Sequence, residues 1–118
     1  MKRQEKIDSK EKSILATRFA KDKKAEEITV LDMRKTSNFC DFFVIMSSAS
    51  TRQSKAIADA IEKGLGSKKV RLLHCEGKSE GLWILQDYGD VIVHIFNQDI
   101  RSFYCLERLW SDAQRLDF

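Results

Sequence analysis

The 118-residue sequence has no proline, only five glycines and only three cysteines. Without proline, no helix or strand is broken by a missing backbone N–H. Cys40, Cys75 and Cys105 are odd in number, far apart and free of any Cys-x-x-Cys spacing. That excludes a disulfide framework and leaves reduced, mostly buried thiols. His74 and Cys75 are neighbours, but adjacent residues of a strand point to opposite faces and do not converge on one metal ion. No apolar run approaches the length that spans a bilayer, and Met1-Lys2-Arg3-Gln4-Glu5-Lys6 is not followed by an apolar signal segment. The expectation is a cytoplasmic protein with no membrane partner. The chain also lacks internal duplication, a glycine-rich Gly-Lys-Ser/Thr phosphate loop and an Asp-x-Asp pair for two metal ions.

What remains is the composition of an ordinary globular domain, 42% hydrophobic and 33% charged, long enough for one real core and too short for two. The formal net charge is +3, unevenly placed: residues 1–24 hold nine Lys or Arg against four Asp or Glu, so the other 94 residues carry a net −2. The basicity belongs to the N-terminal segment, as a solvated helix face or as long-range attraction to a polyanion such as ribosomal RNA.

Asp8 followed by Glu11 resembles a capping box, and Ile14, Leu15, Arg18 and Phe19 form a short stripe, so a first helix is predicted over 9–22. Residues 28–33 and the apolar run 41–47 read as interior strands. Ser50-Thr51-Arg52-Gln53 is a second capping box, and Ala56, Ile57, Ala60, Ile61 and Leu65 recur at helical spacing until Gly64 and Gly66. Residues 70–75 follow as a strand, giving a crossover between parallel strands. Asp99 is placed to cap a last helix carrying Ile100, Phe103, Leu106 and Trp110. The predicted fold is α/β: one domain with a five-stranded mixed sheet and flanking helices, order α-β-β-α-β-β-β-α. A basic tail is expected over 1–8, the domain over 9–112 and a C-terminal tail over 113–118.

The most informative stretch is 83–96, which reads as two strands around a Tyr88-Gly89 turn flanked by Asp87 and Asp90. That turn sets Trp83 opposite His94, Ile84 opposite Val93, Leu85 opposite Ile92 and Gln86 opposite Val91. Alternation then gives one aliphatic face, Leu82, Ile84, Val91, Val93 and Ile95, which wants a core. The other face carries Trp83, Leu85, Asp87, Asp90, Ile92, His94 and Phe96. Large aromatics mixed with carboxylates and an imidazole suit a desolvated contact with a polar rim.

Chemistry is harder to find. As a general base, His94 needs a nucleophile and an orienting carboxylate from Asp41 or Asp87; a hydrogen-bonded structural histidine is the commoner reading. Asp87 and Asp90 lack a third oxygen ligand for a metal and read as turn-capping residues. Residues 47–52 lie where a helix N-terminus favours anions, yet helix capping explains them. No catalytic residue, metal or cofactor is expected.

Several stretches together resemble the ribosomal silencing factor family, also called Iojap-like, over nearly all of residues 10–112. They are Cys40-Asp41-Phe42-Phe43-Val44-Ile45, Ser50-Thr51-Arg52-Gln53 with Ala56-Ile57-Ala58-Asp59, Glu76-Gly77, the whole of 83–96, and residues 101–110. Two departures are Ser47-Ser48-Ala49-Ser50, where a glycine-containing stretch is common, and Cys105, where an acidic or polar residue is frequent. The resemblance implies an α/β fold distantly similar to nucleotidyltransferases, often homodimeric, without catalytic activity. It further implies a factor that binds the large ribosomal subunit through the fourteenth large-subunit protein and sterically prevents joining of the small subunit, damping translation when nutrients are scarce; the alternatives are a large-subunit assembly factor and a small nucleotidyltransferase-like enzyme. The family's contact surface carries over onto Trp83, Tyr88 and Phe96 with their neighbours Asp87, Asp90 and His94.

Overall fold

The computed structural model describes residues 7–36, 38–100 and 114–116. Helix α1, Ser9–Asp22, starts where the Asp8 side chain accepts the Glu11 N–H at 2.8 Å. This is one of the donors that a helix start otherwise leaves without a partner. Its buried side is Leu15, Ala16 and Ala20, with Phe19 packed against the core and Arg18 exposed. Helix α2, Thr51–Ser67, is capped by Ser50, whose hydroxyl accepts the Gln53 N–H at 3.1 Å; the Gln53 side chain accepts the Ala49 N–H at 2.6 Å. It runs through Gly64 instead of stopping there. Gly64 serves packing: a Cβ at this position would lie 2.5 Å from the Phe19 ring of α1.

The strands are β1 Glu26–Asp32, β2 Phe42–Ser48, β3 His74–Glu76, β4 Trp83–Asp87, β5 Val91–Asn97 and β6 Gln114–Leu116, in sheet order β3-β4-β5-β2-β1-β6. Each of the five expected strands has a counterpart, although the third, expected over 70–75, is only His74–Glu76 with 70–73 outside any strand, and β6 adds a sixth by pairing antiparallel with β1 where a C-terminal tail was expected. β2 and β5 are the parallel neighbours. β3 runs in the same direction as β2 but stands at the sheet edge beyond β4 and β5, so the crossover through α2 spans two intervening strands. The last helix begins two residues earlier than predicted. Residues 98–100 are helical, and Asn97, not Asp99, supplies the capping oxygen to the Asp99 N–H at 3.1 Å. Residues 1–6 of the expected basic tail and 101–112, with Phe103, Leu106 and Trp110, lie outside the described residues.

Helices α1 and α2 cover one face of the sheet. Leu15, Ala16, Ile57, Ala58, Ile61 and Leu65 pack there on Val44, Met46, Ile84, Val91, Val93 and Ile95. A second, smaller cluster of Leu31, Met33, Cys40, Ile45 and Phe96 lies apart from it, with Phe43, Trp83, Ile92 and Ile100 packed against it. The main core also holds a short polar chain. The Tyr88 hydroxyl donates to Gln86 Oε1 at 3.1 Å, and Gln86 Nε2 donates to the Ala58 carbonyl at 3.0 Å, tying β4 to α2. Burial pushes the Tyr88 phenol up from its ordinary pKa. Tyr88→Phe leaves the buried Gln86 oxygen without this donor, so the unfolding free energy should fall by about 1–3 kcal/mol in a urea titration. Unchanged stability would contradict the network.

Candidate functional site

The hairpin turn differs from the sequence reading by one position. Tyr88 N–H donates to the Val91 carbonyl at 2.9 Å, leaving Gly89-Asp90 as the two-residue loop. Gly89 occupies the first loop position at φ +94°, a conformation that glycine adopts at no steric cost. The register therefore slides by two residues, pairing Trp83 with Phe96, Ile84 with Ile95, Leu85 with His94, Gln86 with Val93 and Asp87 with Ile92. A slide of two keeps every side chain on its face. Leu82, expected in the core, precedes the strand and is 42% exposed.

On the face turned away from α1 and α2, Trp83 lies over Phe96, ring centroids 4.7 Å apart and planes inclined by 35°. His94, one diagonal step from Trp83, accepts the indole N–H on Nδ1 at 3.3 Å. Its ring is stacked at 9° to Phe96, with centroids 6.0 Å apart, and meets Phe43 edge-on at 4.8 Å. Phe96 is fully buried and His94 is 4% exposed, whereas Trp83, Leu85, Asp87, Ile92 and Phe43 are half-buried. The parallel register, Phe43 beside Ile92 and Ile45 beside His94, extends this surface onto β2. At its β3 edge, His74 and Glu76 stand opposite Asp87 and Leu85 and approach each other to 3.3 Å, both exposed. The result is an aromatic centre with a polar rim on one side.

Two residues expected on this surface are elsewhere. Tyr88 is 3% exposed and lies in the main core, because it follows Ile84 and Gln86 in alternation. Asp90 is a turn residue and so leaves the pleat; its carboxylate takes the Lys12 ammonium of α1 at 2.8 Å, on the helix side. Asp87 caps the turn, accepting the Gly89 N–H at 2.7 Å. Phe43, His74 and Glu76 were not anticipated here. The run Phe42-Phe43-Val44-Ile45-Met46 has no alternation from which to assign faces, and strand neighbours distant in sequence leave no local signal.

The acid–base candidates have structural duties. His94 Nδ1 is an acceptor, and burial pushes the imidazole down to about 4, so it is neutral at ordinary pH with its proton on Nε2. Asp41 binds through its backbone, its N–H donating to the Asp90 carbonyl and its own carbonyl accepting from Met33. The hydroxyls of Ser48 and Ser54 are hydrogen-bonded to each other at the start of α2. Among the described residues, no group of three or more His, Cys, Asp or Glu could hold a metal ion, and no helix is long and apolar enough to cross a membrane.

The model of the family described as Ribosomal silencing factor during starvation matches residues 6–118. The chain belongs to the ribosomal silencing factor family. It is 42% identical over 109 residues to the ribosomal silencing factor of Bacillus subtilis, spanning 91% of this chain and 92% of that protein. A crystal structure of a Chromobacterium violaceum protein superposes with a TM-score of 0.87 at 32% identity, covering 95% of this chain and 92% of that one. A mouse protein named mitochondrial assembly of ribosomal large subunit protein 1 is 31% identical over 90 residues, spanning 74% of this chain and 40% of that protein.

Proposed function

We propose that this protein is a non-enzymatic, cytoplasmic repressor of translation. It docks on the large ribosomal subunit through the fourteenth large-subunit protein and occupies the space the small subunit needs. The observation that carries this reading is the half-buried Trp83 lying on Phe96 and hydrogen-bonded to His94, with Phe43 edge-on to that histidine, facing away from the helix layer in a chain of this family. Such a centre matches the anatomy of binding hot spots, where a few aromatics hold most of the energy. Inhibition then requires no chemistry, because the excluded volume of the docked domain does the blocking. Contact with neighbouring ribosomal RNA and a homodimeric free form belong to the same reading.

The rim sets the partner's charge. Asp87, with Glu76 beside it, calls for basic residues opposite. Asp87→Asn keeps an oxygen for the Gly89 N–H and removes only the charge, so association should slow and lose part of its salt dependence. Charge reversal at Lys21, Lys23 and Lys24, which are exposed at the end of α1 in the helix layer, should matter less. Binding kinetics to the isolated ribosomal protein across an ionic-strength series check both. If the lysine reversal abolishes binding and Asp87→Asn changes nothing, the docking surface lies on α1.

A second reading, a factor in large-subunit assembly, is favoured by the name of the mouse relative. It predicts that depletion of the protein leaves immature large subunits, whereas pure repression leaves mature subunits and a failure to silence them.

A further inference from the structure

A histidine is a costly choice for position 94. It stands opposite Leu85 on one side and beside Ile45 on the other, 4% exposed, between the rings of Phe43 and Phe96. A phenylalanine or leucine would fill that space without desolvating a polar ring. What the imidazole adds over such a side chain is an N–H on Nε2 and an acceptor on Nδ1, and the Trp83 indole N–H points at the acceptor, 3.3 Å from Nδ1. A half-buried tryptophan whose N–H faced outward would instead ask its partner for an acceptor.

We propose that His94 is a positioning residue for docking: its unprotonated Nδ1 holds the Trp83 N–H turned into the sheet, so that the partner meets a fixed aromatic carbon surface. The proposal rests on the docking reading above and specifies the partner's chemistry. The patch opposite Trp83 is apolar, such as aliphatic side chains or the stem of a lysine or arginine, with no hydrogen-bond acceptor at its centre. Orienting the ring before the encounter spares the complex the ordering of a large side chain, a gain of roughly three- to tenfold in affinity.

Two variants separate this role from simple packing. His94→Phe keeps a ring between Phe43 and Phe96 but has no acceptor. His94→Asn loses the ring but places an amide oxygen close to where Nδ1 stood. If residue 94 only fills space, the phenylalanine variant is the better of the two in every respect. If it positions Trp83, the order reverses in binding: His94→Phe folds at least as stably as His94→Asn yet binds purified large subunits more weakly, by roughly three- to tenfold relative to wild type.

NMR of the free protein gives an independent readout. The Trp83 indole N–H should be protected from solvent exchange in wild type and in His94→Asn and unprotected in His94→Phe, and wild-type His94 should carry its proton on Nε2. A wild-type His94 protonated on Nδ1, or a His94→Phe variant with wild-type affinity while Trp83→Ala loses binding, overturns the positioning role and leaves the docking reading intact. If Trp83→Ala itself binds as wild type does, the docking reading falls and this proposal with it.

Discussion

Between pH 6.5 and pH 4 the folded protein should lose about 3 kcal/mol of stability to one side chain, His94. Its imidazole is held down to about 4 by burial, against an ordinary value of 6.5. Above pH 6.5 it is neutral in both the folded and the unfolded chain and contributes no pH dependence. As the pH falls through the window, the unfolded chain takes up a proton that the folded one refuses, so unfolding becomes easier. Below about pH 4 both forms are protonated and this contribution is flat again. Protonated Nδ1 can no longer accept the Trp83 N–H, so the loss reaches the proposed docking surface as well. Urea titrations at successive pH values should show the slope in wild type and a much shallower one in His94→Phe. Equal slopes in the two proteins would place the pH sensitivity elsewhere.

The second large effect is on binding. Trp83→Ala should lower affinity for the large subunit by more than about 2 kcal/mol, roughly thirty-fold, the usual cost of truncating a central interface tryptophan. The domain should stay folded, because Trp83 is only half-buried and packs against the smaller cluster, while the main core between the sheet and α1 and α2 is untouched. Affinity and a thermal melt measured on the same preparation separate the two effects. A collapsed melting temperature would assign Trp83 to the core, and unchanged affinity would remove it from the interface.

The parts of this fold that were legible in the sequence are those written locally. Asp8 and Ser50 each cap the helix they precede, and the periodicity behind them is helical. The two faces of the hairpin were assigned correctly at Ile84, Val91, Val93 and Ile95 on one side and Trp83, His94 and Phe96 on the other. This held although the register was off by two, because face depends only on parity. Depth and distant pairing were not written locally. Alternation put His94 and Phe96 on the same face as Trp83 but could not say that both lie buried behind it. Asp90 broke the pattern because a turn residue obeys no pleat, and Tyr88 was assigned to the contact by resemblance while its own alternation with Gln86 sends it into the core. The parallel contact of β2 with β5, which brings Phe43 to the site, joins segments about fifty residues apart. The edge strand Gln114-Arg115-Leu116 offers one apolar residue and is specified by the open edge of β1.

A folded domain docked through the Trp83 face should exclude the small subunit. Purified large subunits saturated with the protein are mixed with small subunits, and the joined ribosomes are measured by sedimentation. Wild type should co-migrate with the large subunit and deplete the joined peak, and Trp83→Ala at the same concentration should restore it. A joined peak of normal size with wild-type protein still bound to the large subunit would contradict occlusion.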